Sequence, residues 1–211
     1  MILTQQYLIL KNFLLCYTFI MKYYFVLNKP KGYVCSAVSD SHKTIYSLLP
    51  QSLQYLVQNA KRGERLHTVG RLDSLTSGLI FITNDGQFSH YITNPESNIS
   101  KVYEVKLERS VNEEEQENYI IKAKQGILLP PDKKKGIEMA GASKITFLSK
   151  DKCNIEINEG KFHQVRRTFT ALGNNVIELK RIKIGNFHLP ENLLEGTYRE
   201  MSKEELALFK E

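Results

Sequence analysis

The sequence predicts an α+β fold built on a largely antiparallel sheet, and three observations carry that expectation. Apolar runs of strand length mix with helical stretches, without the regular strand–helix–strand rhythm of a parallel sheet. Lys101–Leu107 alternates cleanly, with Tyr103, Val105 and Leu107 on one face and Val102, Glu104 and Lys106 on the other. Lys144–Leu148 and Cys153–Asn158 are joined by a short polar connection, the spacing of a hairpin. No internal repeat interrupts this pattern.

The elements follow in order. Tyr23–Leu27 reads as a first strand, Asn28-Lys29-Pro30-Lys31-Gly32 as a basic turn, and Val34–Ser36 as a second strand. Ile45–Ala60 has the apolar spacing of one or two short helices divided near Pro50. A charged loop then leads to Gly70-Arg71-Leu72-Asp73 and to Gly78–Thr83, a tightly framed apolar run that suits a buried strand. Asn84-Asp85-Gly86 closes it as a turn, and Gln87–Thr93 is a helix that stops before Pro95. Ser110-Val111-Asn112-Glu113 has capping-box spacing and opens an acidic helix ending near Gln125-Gly126. Pro130–Gly141 is a polar, lysine-bearing loop. Phe162, Val165, Phe169 and Leu172 fall on one side of a helix, His163, Arg166, Arg167 and Thr170 on another, and Gly173 ends it. Val176–Ile184 is a strand carrying Lys180, Arg181 and Lys183, and Ser202-Lys203-Glu204-Glu205 caps a short terminal helix.

Composition narrows the function. At 211 residues and 42% hydrophobic, the chain can bury a sizeable core. A net charge of +6 and a pI of about 9.1 point to an anionic partner. Cys16, Cys35 and Cys153 are isolated, and His42, His67, His90, His163 and His188 make no H-x-x-x-H. That spacing offers no metal site and no disulfide framework, and it points to a reducing, cytoplasmic home. Tyr7–Ile20 is apolar but broken by Lys11-Asn12, too short to span a bilayer, and unlike a signal peptide. Met21 reads as a natural start, which makes residues 1–20 an upstream extension and residues 21–211 the working domain.

The candidate site residues each have two readings. Asp73 lies at the mouth of a rigid strand, where a reactive carboxylate can be held still, or it simply bonds loop backbone. Lys29 and Lys31 are phosphate contacts or solvated turn residues. Tyr103 is a stacking ring or a core aromatic. The helix carrying His163, Arg166 and Arg167 presents a phosphate grip or a solvated basic face. A hydrolase working with two carboxylates would need a second acid roughly 5–10 Å from Asp73, and Asp85 is the only other acid in that stretch.

Three stretches, in order, resemble the motifs of pseudouridine synthases, most closely the branch acting on ribosomal RNA: Gly70-Arg71-Leu72-Asp73 with Thr76 and Gly78-Leu79, Lys101-Val102-Tyr103-Glu104-Val105, and Gly160-Lys161-Phe162-His163-Gln164-Val165-Arg166-Arg167. The opening Asn28-Lys29-Pro30-Lys31-Gly32 is similar to the family's first loop. Leu75 departs from the pattern, since the family often has an acid there. The resemblance implies a pseudouridine-synthase-like fold in two lobes about a basic central cleft. It implies that a uridine in rRNA, most readily of the small subunit, is isomerised without metal, nucleotide or redox cofactor. It makes Asp73 the catalytic carboxylate, Arg166 its ion partner and Tyr103 the ring beside the base. Arg71, Lys29, Lys31, Lys101, Lys161, His163, Gln164, Arg167, Lys180 and Arg181 are the expected RNA contacts. The implied partner is rRNA or a ribosome assembly intermediate, met by a monomer away from any membrane. The small-subunit type usually carries an N-terminal RNA-binding domain, and the residues before Tyr23 are too few to form one.

Overall fold

The computed structural model describes residues 21–61, 63–132 and 134–209. The extension expected over residues 1–20 lies outside them. The strands are β1 (Tyr24–Lys29), β2 (Tyr33–Val34), β3 (Lys43–Thr44), β4 (His67–Thr68), β5 (Ser77–Thr83), β6 (Lys101–Leu107), β7 (Ile127–Leu129), β8 (Glu138–Ala140), β9 (Lys144–Phe147), β10 (Lys152–Ile157), β11 (Val176–Ile184), β12 (Phe187–His188) and β13 (Tyr198–Glu200). The α-helices are α1 (Gln51–Gln58), α2 (Gly86–Thr93), α3 (Glu113–Gln125), α4 (Gln164–Ala171) and α5 (Lys203–Ala207).

One continuous sheet organises the molecule, in the order β13-β1-β5-β11-β6-β10-β9, with β4 against β5 and β12 against β11. Every pairing in it is antiparallel except β5 with β11. Side chains alternate across a strand, so the sheet buries two cores, one on each face. Phe25, Leu27, Ile80, Ile82, Tyr103, Val105 and Leu179 meet Tyr119 of α3 and Phe169 of α4 on the first face. Val26, Leu79, Phe81 and Ile184 meet Ile92 of α2, Phe187 and Phe209 on the second. β5 supplies both cores and is buried along its whole length, as its uninterrupted apolar run predicts.

Several local expectations need correction. Asp85 does not sit in a free turn: it N-caps α2, its Oδ1 accepting from the backbone N–H of Gln87 and Phe88. The capping box of α3 is Asn112 with Glu115, not one beginning at Ser110, because only Asn112 has a glutamate three residues on that reaches back to it. The polar loop of residues 130–141 contains β8, which pairs with β7. α4 starts at Gln164, after His163 has taken a left-handed conformation at φ 50°.

Candidate active site

The loop from Gly70 to Thr76 comes first, because its shape is set by groups that do not touch the solvent. Thr76 N–H donates to the Asp73 carbonyl and closes a tight turn. Lys29, at the end of β1, is fully buried. Its Nζ donates to the carbonyls of Thr76 (2.7 Å), Asp73 and Pro30 (3.1 Å each) and Ser74 (3.4 Å). Burial pushes the Lys29 ammonium down to about 8, opposed by the charges of Cys35, Asp73 and Glu195. Cys35 Sγ reaches both the N–H and the carbonyl of Leu72. The turn that carries Asp73 is thus bound to β1 through its own backbone.

Asp73 stands on this turn with its side chain 40% exposed, at one wall of an open cleft of about 530 Å³. Leu72, Thr76, Leu179 and Tyr103 line the cleft, together with Lys161 to Arg166. Tyr103 is buried on the first-core face of β6, and its ring lies 6.0 Å from the Arg181 guanidinium. The basic side chain nearest Asp73 among the described residues is the His163 ring: Nε2 is 3.6 Å from Asp73 Oδ1, while Nδ1 is 2.8 Å from Asp132 Oδ2. The same ring stacks on Phe162 at 3.8 Å.

Contrary to what the family resemblance implies, Arg166 lines the cleft without ion-pairing with Asp73. Its guanidinium donates to the carbonyls of Val176 (2.8 Å) and Leu75 (3.2 Å). It therefore clamps the Asp73 turn to the start of β11, and only the longer-range attraction of Asp73 reaches it, against burial that lowers its affinity for a proton.

Four expected RNA contacts are interior groups. Lys29 is spent on the turn carbonyls. Arg167 is buried and donates to Pro130, Gly136 and Phe162 carbonyls and to Glu138. Gln164 is buried between Glu159 and the Lys161 N–H. Arg181 is buried, with Nε on the Leu79 carbonyl. The sequence places these side chains on a turn, a helix or a strand but cannot show which other segments fold over them. Lys180 pairs with Glu104 and so leaves the sheet on the face away from Tyr103, where it lines a separate groove with Lys31 and Lys106. Arg71 and Lys161 do line the cleft, the latter tied to Glu159, and Lys101 lies beside it, its ammonium pushed down to about 8 by burial. Three groups that the motifs did not mark join the site: Asp132, and the cleft-lining Lys135 and Glu138, all from the loop after β7. A lysine-bearing loop was the only signal for them. Asp85, the alternative second acid, is occupied at the far end of β5 by α2, Tyr24 and Lys22.

Known proteins give this geometry its context. Residues 23–171 match the RNA pseudouridylate synthase family. "Ribosomal small subunit pseudouridine synthase A" of Haemophilus influenzae is 41% identical over 183 residues, 87% of this chain and 72% of that protein. The protein of the same name from Escherichia coli (strain K12) is 36% identical over 184 residues, with the same coverage. A solved structure, "Crystal structure of pseudouridylate synthase", superposes with a TM-score of 0.77 at 40% identity, covering 90% of this chain and 74% of that one. The family match spans well over half of the sequence and the likeness extends through sequence and fold alike, so this chain belongs to the RNA pseudouridylate synthase family.

Proposed function

We propose that this protein isomerises a uridine of small-subunit ribosomal RNA to pseudouridine, with Asp73 as the catalytic carboxylate. The observation that carries the reading is the placement of Asp73: a half-exposed acid on a turn pinned by Lys29, lining an open cleft with Tyr103, His163 and Arg166. The reaction breaks the N1–C1′ bond, turns the freed uracil, joins C5 to C1′, and exchanges the C5 proton for one on N1. A carboxylate held beside the ribose serves it either as nucleophile or as base. The target base must leave its stack to reach the cleft, and the Tyr103 ring offers the flat apolar surface such a base needs. Arg71, Lys101, Lys135 and Lys161 supply positive charge around the opening for the RNA backbone. The identity to the small-subunit enzymes supports that choice of rRNA. The RNA is met alone or within an assembling subunit, by a monomer in the cytoplasm.

Two measurements test the reading. Mapping pseudouridine in both rRNAs from cells with and without the gene should show one small-subunit position lost. A change confined to large-subunit rRNA overturns the substrate. In vitro, Asp73→Asn keeps the side-chain shape and removes its charge, so product formation should vanish while RNA affinity stays within about twofold. Sustained turnover by that protein, with deamidation excluded, removes Asp73 from the chemistry.

A further inference from the structure

We propose that His163 is a positioning residue for Asp73, and that Asp132 orients it. This deepens the reading of Asp73 as the catalytic carboxylate and rests on it. An ionised Asp132 carboxylate can only accept, so the 2.8 Å contact to His163 Nδ1 puts the proton on Nδ1. That leaves Nε2 as the atom turned toward Asp73 Oδ1 at 3.6 Å. The ring is fixed by more than this pair. His163 is one of two non-glycine residues at positive φ among the described residues, and its ring stacks on Phe162. A histidine serving only as a surface phosphate contact needs neither the left-handed backbone nor a carboxylate behind it.

Three other charged groups of the cleft wall are already committed. Arg166 holds the Val176 and Leu75 carbonyls, Lys161 holds Glu159, and Glu138 holds Arg167. Among the described residues, His163 is the only basic side chain within 4.0 Å of the Asp73 carboxylate. Asp132 and Asp73 come from different loops, so the ring also ties the lysine-bearing loop after β7 to the Asp73 turn. In its protonated form the ring carries a proton on both nitrogens, and its charge 3.6 Å from Asp73 Oδ1 directs the carboxylate before RNA arrives.

The test compares His163→Gln, Asp132→Asn and the double variant, each first shown to unfold at the wild-type midpoint. With rRNA substrate, kcat should fall roughly ten- to a hundredfold in each single variant, by analogy with the loss of a carboxylate that orients a metal-bound histidine. KM should stay near the wild-type value. The double variant should be no slower than His163→Gln, since Asp132 acts through the ring. A raised KM with unchanged kcat, or losses that multiply, overturns the proposal. The RNA-free protein gives an independent readout: the imidazole nitrogen resonances of His163 should show Nδ1 protonated, and Asp132→Asn should abolish that fixed tautomer. A bare Nδ1 in the wild type also overturns it. Wild-type protein that converts no uridine in rRNA defeats the functional reading instead, and the nitrogen resonances still decide the pairing.

Discussion

Lys29 shows how a residue can govern a site without facing it. Its ammonium fills a ring of four carbonyls, three of them on the Asp73 turn. Lys29→Met keeps much of the volume and orphans those carbonyls, each at a cost of about 1–3 kcal/mol if water stays out. The variant should lose both stability and turnover, and denaturant unfolding at pH 7 checks the first directly. The pH dependence has a definite sign. The folded protein binds the Lys29 proton more weakly, down to about 8 against 10.5 for the free side chain, so the unfolded chain binds more protons in that window. Wild-type stability should therefore rise relative to Lys29→Met between pH 8 and 10, by at most roughly 1.4 kcal/mol per unit. A gap that narrows over that range contradicts the assignment. Lys101 changes in the same direction but is present in both proteins, so it cancels in the comparison. None of this was legible in the sequence, where a lysine beside a proline in a basic loop reads as a solvated turn residue or an RNA contact. That Asp73 and Tyr103 line one cleft could be expected because their motifs are local, whereas three of the four carbonyls that hold Lys29 lie 44 to 47 positions away.

At the scale of elements, the junction of β5 and β11 sets the site. Gly78 sits at φ +102°, and an added Cβ would overlap the Arg181 carbonyl oxygen and lie 2.8 Å from the Arg181 nitrogen. That close approach lets β11 run parallel to β5 while pairing antiparallel with β6, so the Asp73 turn and Tyr103 reach the same cleft. Gly78→Ala should destabilise the protein by roughly 3 kcal/mol or more, through strain and overlap together. A thermal midpoint within 2–3 °C of wild type, a change of under about 1 kcal/mol for this size, would contradict it. Most elements could be read in advance, since their periods of 2 and 3.6 are written in the apolar spacing. Their mutual order could not, because β11 follows β10 in the chain yet lies between β5 and β6. The start of α4 was misread for a related reason: apolar spacing from Phe162 onward fits a helix, and nothing in it marks the left-handed turn at His163.

At the scale of the whole molecule, the +6 charge is unevenly useful. Lys29, Arg167 and Arg181 are interior, so the basic count overstates what RNA meets. Lys135 is exposed at the cleft, whereas Lys180 leaves the opposite face of the sheet. Lys135→Ala should weaken RNA binding and reduce the slope of log affinity against log salt by about one contact. Lys180→Ala should leave both unchanged. Filter binding at several salt concentrations distinguishes them, and equal effects would mean that the RNA wraps both faces.

The position of β11 bears on when the protein becomes an enzyme. Its residues, 176–184, are synthesised after both strands they separate, about a hundred residues after β5 and about 75 after β6. While that segment is still inside the ribosomal exit tunnel, β5 and β6 have no shared neighbour to set their spacing. Pairings so distant along the chain form slowly, and until then the bare edges invite mispairing. A nascent chain still lacking β11 thus carries the Asp73 turn and Tyr103 on strands not yet held at the spacing that builds the cleft.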